Sequence, residues 1–483
     1  MIQIPNINIS IIYPEIIIFI TAVIILLVEI FSNGKKWYAQ SIIALIGIIV
    51  SGYAVSNQWN SFASGFSEVL VADNFALMFK LIFLLGALLT VFLSIWYFRR
   101  EEIQQGEYFF LILSSVIGMM ILSSANELIT AFLGLEVMSL PLYVLAGFDK
   151  KKLLSNEAAL KYFIMGAFAS GFLVYGITFI YGATGTTNFD KISMVISSRS
   201  FGIDPLLLLG FILILIGFSF KTAFVPFHSW VPDVYTGAPT PVTAFFSIGP
   251  KAAGFAILFR LIIKAFAPIG GSIIPILWIL AVLTMTVGNL IALTQRNIKR
   301  MLAYSSIAHA GYLLISLVVG NGRGASAALF YLIAYTVMTV GAFGIVILLG
   351  EKGEKDLSIN GYSGLAYRYP AAAVVMSLFM FSLAGIPPTA GFIGKFYIFS
   401  SAISKGFIWL AVIGIVNSVI SVYYYLRVVV VMFMKPEIQA GRVVCFPVSL
   451  MVAIILAAIG VLQIGMFPQG WFEAVRYSLI GLF

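Results

Sequence analysis

Seven side chains set within long apolar stretches are of types that can pick up and release a proton: Glu136, Lys221, Lys251, Lys395, His309, His228 and Lys161. Glu136 sits mid-run in Ala131-Phe132-Leu133-Gly134-Leu135-Glu136-Val137-Met138-Ser139-Leu140-Pro141. A charge at the centre of a bilayer costs about 2.5–3.5 kcal/mol on insertion scales, so such a residue pairs or faces water. Lys221 is its natural partner, and Lys251 follows in the next apolar run. Lysine can relay a proton because burial favours its neutral form and a nearby carboxylate reverses that preference. Histidine titrates near neutrality unaided, and His309 lies mid-run in Ala303-Tyr304-Ser305-Ser306-Ile307-Ala308-His309. Arginine stays protonated and would be a poor relay. A permanent Glu136–Lys221 ion pair locking two helices is the static alternative. A packing role for Lys251, a structural donor role for Lys395 and satisfied core positions for both histidines stand beside the relay reading. Lys161, one helical turn from Glu157, also reads as a surface pair.

The elements that hold these groups are broken helices. Phe218-Ser219-Phe220-Lys221-Thr222-Ala223-Phe224-Val225-Pro226-Phe227-His228-Ser229-Trp230-Val231-Pro232 and Phe381-Ser382-Leu383-Ala384-Gly385-Ile386-Pro387-Pro388-Thr389-Ala390-Gly391-Phe392-Ile393-Gly394-Lys395 each begin as helix and run into proline. Proline removes a backbone donor, and the freed groups are tolerated at membrane depth only against protein or a wet cavity. Paired breaks in two halves of a chain mark an ion pathway in transporters built from inverted repeats. The apolar runs number about fourteen, each long enough to span as a helix. The breaks fall in the seventh and twelfth. A five-helix unit is odd, so its second copy sits upside down. The expected fold is therefore an all-α membrane bundle in four parts: a three-helix segment (1–106), a five-helix unit (107–265), its inverted copy (266–433) and a final helix (434–483).

Composition narrows the function classes. Of 483 residues 61% are hydrophobic and 10% charged, far below the charge content of a soluble domain. The net charge of +9 does not indicate nucleic acid, because the cations lie in short loops. One set of loops holds Lys35, Lys36, Arg99, Arg100, Lys150, Lys151, Lys152, Arg296, Lys299, Arg300, Lys352, Lys355, Arg368, Lys435 and Arg442. The other set holds only Lys191, Arg199, Arg323, Lys405 and Arg476. This imbalance predicts a cytoplasmic lysine-rich side, with both termini periplasmic. Cys445 is alone, which excludes a disulfide, a redox pair or a thiolate cluster within the chain. No nucleotide fingerprint or zinc-ligand spacing is present, and two histidines on separate runs are a slender basis for haem. The N-terminus lacks a basic n-region and reads as a first spanning helix rather than a cleaved signal.

With the stretches GLEVMSLPLY, NEAALKYF, FKTAFVPFHSWVPDVYTGAPTPVTAF and KRMLAYSSIAHAGY in view, the chain resembles the antiporter-like proton-pumping subunits of NADH–quinone oxidoreductase, respiratory complex I. Within that family it is most similar to the members called subunit N, through Lys395 in the second break and an end soon after the fourteenth run. The resemblance implies a translocase subunit in a bacterial inner membrane. It also implies that Glu136 and Lys221 form a switching pair, that Lys251 is the central relay and that Lys395 exchanges protons with the other half-channel. It implies no cofactor in this chain, FMN and iron–sulfur clusters in partner subunits, and contact with neighbouring antiporter-like subunits that serve a quinone-reducing complex. A subunit of a multi-subunit sodium/proton antiporter is the alternative.

Overall fold

A backbone crossing hydrocarbon must satisfy its own hydrogen bonds, and without the alternation of a barrel these runs can do so only as helices. The computed structural model describes residues 7–32, 36–103, 105–198, 204–354, 357–436, 445–480 and 482. Lys35, Arg199, Lys355 and Arg442 of the loop pattern lie outside the described residues. The helices are α1 (Tyr13–Ser32), α2 (Trp37–Asn57), α3 (Asn74–Glu101), α4 (Glu107–Ser124), α5 (Leu128–Ala146), α6 (Leu153–Thr184), α7 (Phe189–Ser198), α8 (Pro205–Thr222), α9 (Trp230–Gly237) and α10 (Thr240–Arg260). They continue as α11 (Gly270–Thr294), α12 (Ile298–Val319), α13 (Gly322–Leu349), α14 (Leu365–Arg368), α15 (Pro370–Ala384), α16 (Ala390–Ser404), α17 (Ile408–Met434), α18 (Val448–Met466) and α19 (Pro468–Ser478). A short hairpin, β1 (Ala63–Gly65) with β2 (Leu70–Ala72), caps the turn between α2 and α3.

Thirteen stretches among the described residues are long and apolar enough to cross a membrane, and α8 is one of them. The twelfth apolar run is not one helix. It is α15 and α16, of 15 residues each, which together supply the fourteenth crossing. The seventh run likewise stops as a helix at Thr222, with the short α9 following the break. The hydrophobic window of α13 is wholly buried and those of α12 and α10 nearly so, while α6, α1 and α2 stay largely uncovered. The two core helices of the second half and the last of the first thus form the centre of the molecule.

The two halves match in register as well as in the position of their breaks. A lone antiparallel bridge joins Glu127 to Asn188, and another joins Asn297 to Ser358. One offset carries both residues of the first bridge onto the second. The same offset carries the close approach of Gly118 to Met138 onto that of Gly288 to Ala308. A Cβ on Gly118 would lie 2.1 Å from the Met138 nitrogen, and one on Gly288 would lie 2.7 Å from the Ala308 nitrogen. In both hairpins the glycine lets two helix backbones touch, the small-residue packing that helices use in lipid. Counting crossings, the first bridge lies on the face of the hairpin β1–β2 and the second on the lysine-rich face. The copies are therefore inverted.

Candidate functional site

Both breaks end a helix on a left-handed residue. Ala223 (φ 64°) follows α8 and Gly385 (φ 86°) follows α15; the Val225–Pro226 and Pro387–Pro388 peptide bonds that come next are cis. The freed groups find partners. The Val225 amide donates to Thr284 Oγ1 at 3.0 Å, and Trp230 Nε1 donates to the Phe220 carbonyl at 3.0 Å. At the second break the donor is Lys395 itself: its Nζ donates to the Leu383 and Ala384 carbonyls at 3.0 and 2.9 Å and to Ser418 Oγ at 3.0 Å. An ammonium at the last carbonyls of a helix is where the helix dipole favours positive charge. The two lysines are not in equivalent places. Lys221 belongs to the helix before its break and Lys395 to the helix after its break.

At the centre Lys251, 2% exposed in a helix kinked by Pro250, donates to both the carbonyl and Oγ of Ser306 at 2.5 Å. Its Nζ lies 4.9 Å from the ring centre of Tyr335. The His309 ring is 5.1 Å from that of Tyr335, so one aromatic side chain touches both groups. His309 Nδ1 hydrogen-bonds the Tyr331 hydroxyl, and Nε2 hydrogen-bonds the Tyr425 hydroxyl at 2.9 Å. Tyr312 packs edge-on against His309 at 5.7 Å, and Lys395 Nζ sits 5.0 Å from the Tyr312 ring centre. Lys251, His309 and Lys395 are thus joined through serine and tyrosine side chains, all buried. Ser306 lies at the position that the repeat offset assigns to Glu136.

The first half is arranged differently from the expected ion pair. Glu136 and Lys221 make no salt bridge; instead Lys221 Nζ donates to the Tyr143 hydroxyl at 2.8 Å, and Ser170 Oγ donates to Glu136 Oε1 at 2.5 Å. Glu136 is only partly buried, on a face of α5 where Leu133 and Val137 are exposed. Lys221 Nζ lies 5.3 Å from the ring centre of Tyr162, and the hydroxyls of Tyr162 and Ser219 are both buried without a hydrogen-bond partner. His228 is half-buried in the segment after the first break. Lys161 is 41% exposed and joins Glu157 at 2.6 Å and Asp233 at 2.8 Å. Arg300 reaches the same Asp233 at 3.1 Å, so this surface cluster ties the two halves.

Several charged groups escaped the sequence reading. Lys80 faces Glu15 at 2.7 Å and Arg260 faces Asp73 at 2.5 Å, both cations fully buried. Arg427 donates to the Leu293 carbonyl at 3.1 Å and to that of Gln295, at the end of α11. On the lysine-rich face Glu354 accepts from the Tyr97 hydroxyl at 2.8 Å, the Thr240 amide at 3.2 Å, the Thr240 hydroxyl and Lys299 Nζ at 3.2 Å. Burial pushes this carboxyl up, but Lys299 and the hydroxyl donors outweigh burial and hold it at about 2. Among the described residues no three His, Cys, Asp or Glu side chains come together as metal ligands.

The family described as the transmembrane region of NADH:quinone oxidoreductase and Mrp antiporters matches residues 125–421. The chain belongs to that family. It is 50% identical over 467 residues, 96% of its own length and 95% of the relative's, to NADH-quinone oxidoreductase subunit N of Trichlorobacter lovleyi. It is 43% identical over 484 residues, 99% of both chains, to subunit N of Chloroflexus aggregans. Among solved structures it overlays a chain of respiratory complex I from Thermus thermophilus with a TM-score of 0.82 and 34% identity, covering 96% of this chain and 99% of that one. A chain of the Mrp complex from a Dietzia species shares the fold at a TM-score of 0.83 and 20% identity, over 98% of each chain.

Proposed function

We propose that this chain is the subunit N of a proton-translocating NADH–quinone oxidoreductase and that its own part is the movement of protons. Electron transfer from NADH to quinone takes place in partner subunits, which hold FMN and iron–sulfur clusters. The relay consists of Glu136, Lys221, Lys251, His309 and Lys395, within repeat units 107–265 and 266–433. His228 and Lys161 stand beside this line rather than in it. The membrane is the bacterial inner membrane, with the termini on the periplasmic side, a reading supported by the sparse cations of that face.

The observation that carries the proposal is the line from Lys251 through Ser306, Tyr335, His309 and Tyr312 to Lys395, buried at the core of the bundle and ending at a helix break. Titratable groups enclosed at membrane depth are costly, and a relay is what gives them a use. Ser170 and Tyr143 extend the pattern toward Glu136.

The test is proton uptake by vesicles holding the whole purified oxidoreductase with Lys251→Ala, Lys221→Ala or Glu136→Gln. Pumping per NADH oxidised falls while the subunits still co-purify. Unchanged pumping in a fully assembled variant removes that residue from the mechanism. The sodium/proton antiporter reading, kept open by the shared fold, is decided by purification: flavin and iron–sulfur subunits co-isolate with this chain, and their absence from an active complex overturns the assignment.

A further inference from the structure

On the face opposite the lysine-rich loops lies a cavity of about 1100 Å³ between the start of α13, the end of α16 and the helix α19. Two of the few cations on that face, Arg323 and Arg476, line it. Both are exposed, and neither makes an ion pair or hydrogen bond among the described residues. Elsewhere the guanidinium groups of Arg100, Arg260, Arg300 and Arg427 engage carboxylates or carbonyls, while exposed Arg296 on the opposite face has no side-chain partner among the described residues. Ser326 is nine-tenths buried, lines the cavity and also has no hydrogen-bond partner among the described residues. Ser400 adds a second unengaged hydroxyl. Asn321, Tyr397, Ser401 and Ser404 add further polar groups to the lining, and Phe472, Leu479 and Ile480, from α19 and the residues just after it, supply an apolar side.

We propose that this cavity holds the phosphate headgroup of an anionic phospholipid. Arginine presents a fork of donors that fits a phosphate oxygen pair, and two of them balance one or two phosphodiester charges. The hydroxyl donors sit within the same space. The location suits a lipid rather than a free ion. α19 follows the last membrane helix, mixes charged with apolar residues, and is flanked by exposed Phe467 and Ile480, the pattern of a helix lying in the interfacial plane at headgroup level. The apolar wall is where the first carbons of acyl chains run, and the space matches that of built ligand pockets. On a face that sheds cations, two unpaired arginines at one cavity have an anion as their use.

The test uses the complete complex purified in mild detergent, wild type and Arg323→Gln/Arg476→Gln, with bound phospholipid counted by mass spectrometry after extraction. The double variant retains at least one fewer anionic phospholipid per complex. Added phosphatidylglycerol then raises the thermal midpoint of the wild type but not of the variant. Arg323→Lys/Arg476→Lys restores part of the response, since charge survives without the fork. Ser326→Leu leaves the charges in place and narrows the cavity, giving the same loss of lipid should the double glutamine variant fail to assemble. Identical lipid counts in wild type and every assembled variant overturn the proposal. So does saturation by millimolar inorganic phosphate with no lipid retained, which identifies a free-ion site, or a polypeptide from a neighbouring subunit filling the cavity in the assembled complex.

Discussion

Replacing Glu354 by glutamine removes a carboxylate that gathers three parts of the molecule: Tyr97 at the end of α3, Thr240 at the start of α10 and Lys299 at the start of α12. Those last two helices carry Lys251 and Ser306 at mid-length. The carboxyl stands at about 2, against an ordinary glutamate near 4.3. A depression of about two units corresponds to about 3 kcal/mol of native-state stabilisation. Because the folded value lies below the unfolded one, this stabilisation is complete above about pH 4.3 and fades only as pH falls toward 2. At neutral pH, Glu354→Gln therefore loses it and strands Lys299, whose side chain is fully buried. About 3 kcal/mol is about a hundredfold in the population of the locally opened loop. Hydrogen exchange read by mass spectrometry over residues 350–362 of the whole complex gives the measurement. The amide of Gly353, which donates to Glu101 in the wild type, exchanges about a hundredfold faster in the variant. Adding Lys299→Met recovers part of the protection, because the unpaired cation goes with its partner. Exchange within threefold of wild type refutes the clamp.

Ser306→Ala takes away one of the two acceptors of Lys251; the rate of vesicle acidification per NADH oxidised drops about tenfold, as for a hydrogen bond to a charged group, whereas Ser306→Thr stays near wild type. Gly391→Ala sets a Cβ 1.8 Å from the Ser382 carbonyl oxygen at the second break. It costs about 3 kcal/mol or more and lowers the amount of assembled complex on native gels, while Gly470→Ala, with open space around it, assembles normally. Lys161→Met alters an exposed cluster worth at most about 1 kcal/mol, so assembly and pumping both persist; a collapse of pumping would move Lys161 into the relay.

The breaks were legible because proline in an apolar run has a single backbone consequence, and the lysines because charge is rare there. The membrane fold followed from run length alone. What hid was everything that depends on which face a helix turns. Glu136 and Lys221 read as partners by type, yet Glu136 bonds Ser170 and Lys221 bonds Tyr143, and nothing marks a tyrosine or serine in an apolar helix as a relay partner rather than filler. Lys221 precedes its prolines and Lys395 follows its own, so their opposite placement about the breaks was already written in the residue order. Glu354 is one acidic residue in a loop until α3, α10 and α12 end around it. The repeat register was hard to see in side-chain similarity because it is kept by backbone contacts, with Gly118 and Gly288 as one trace in sequence.

Those two glycines have a mechanical consequence. Where α4 meets α5, and α11 meets α12, backbone rests on backbone with no side chain between to slide or repack. Each hairpin moves as one stiff lever. Any rearrangement during turnover must then bend where the hydrogen-bond ladder is already cut, at residues 223–229 and 385–389. The molecule is built as rigid arms on two flexures, with Lys221 and Lys395 mounted at the joints.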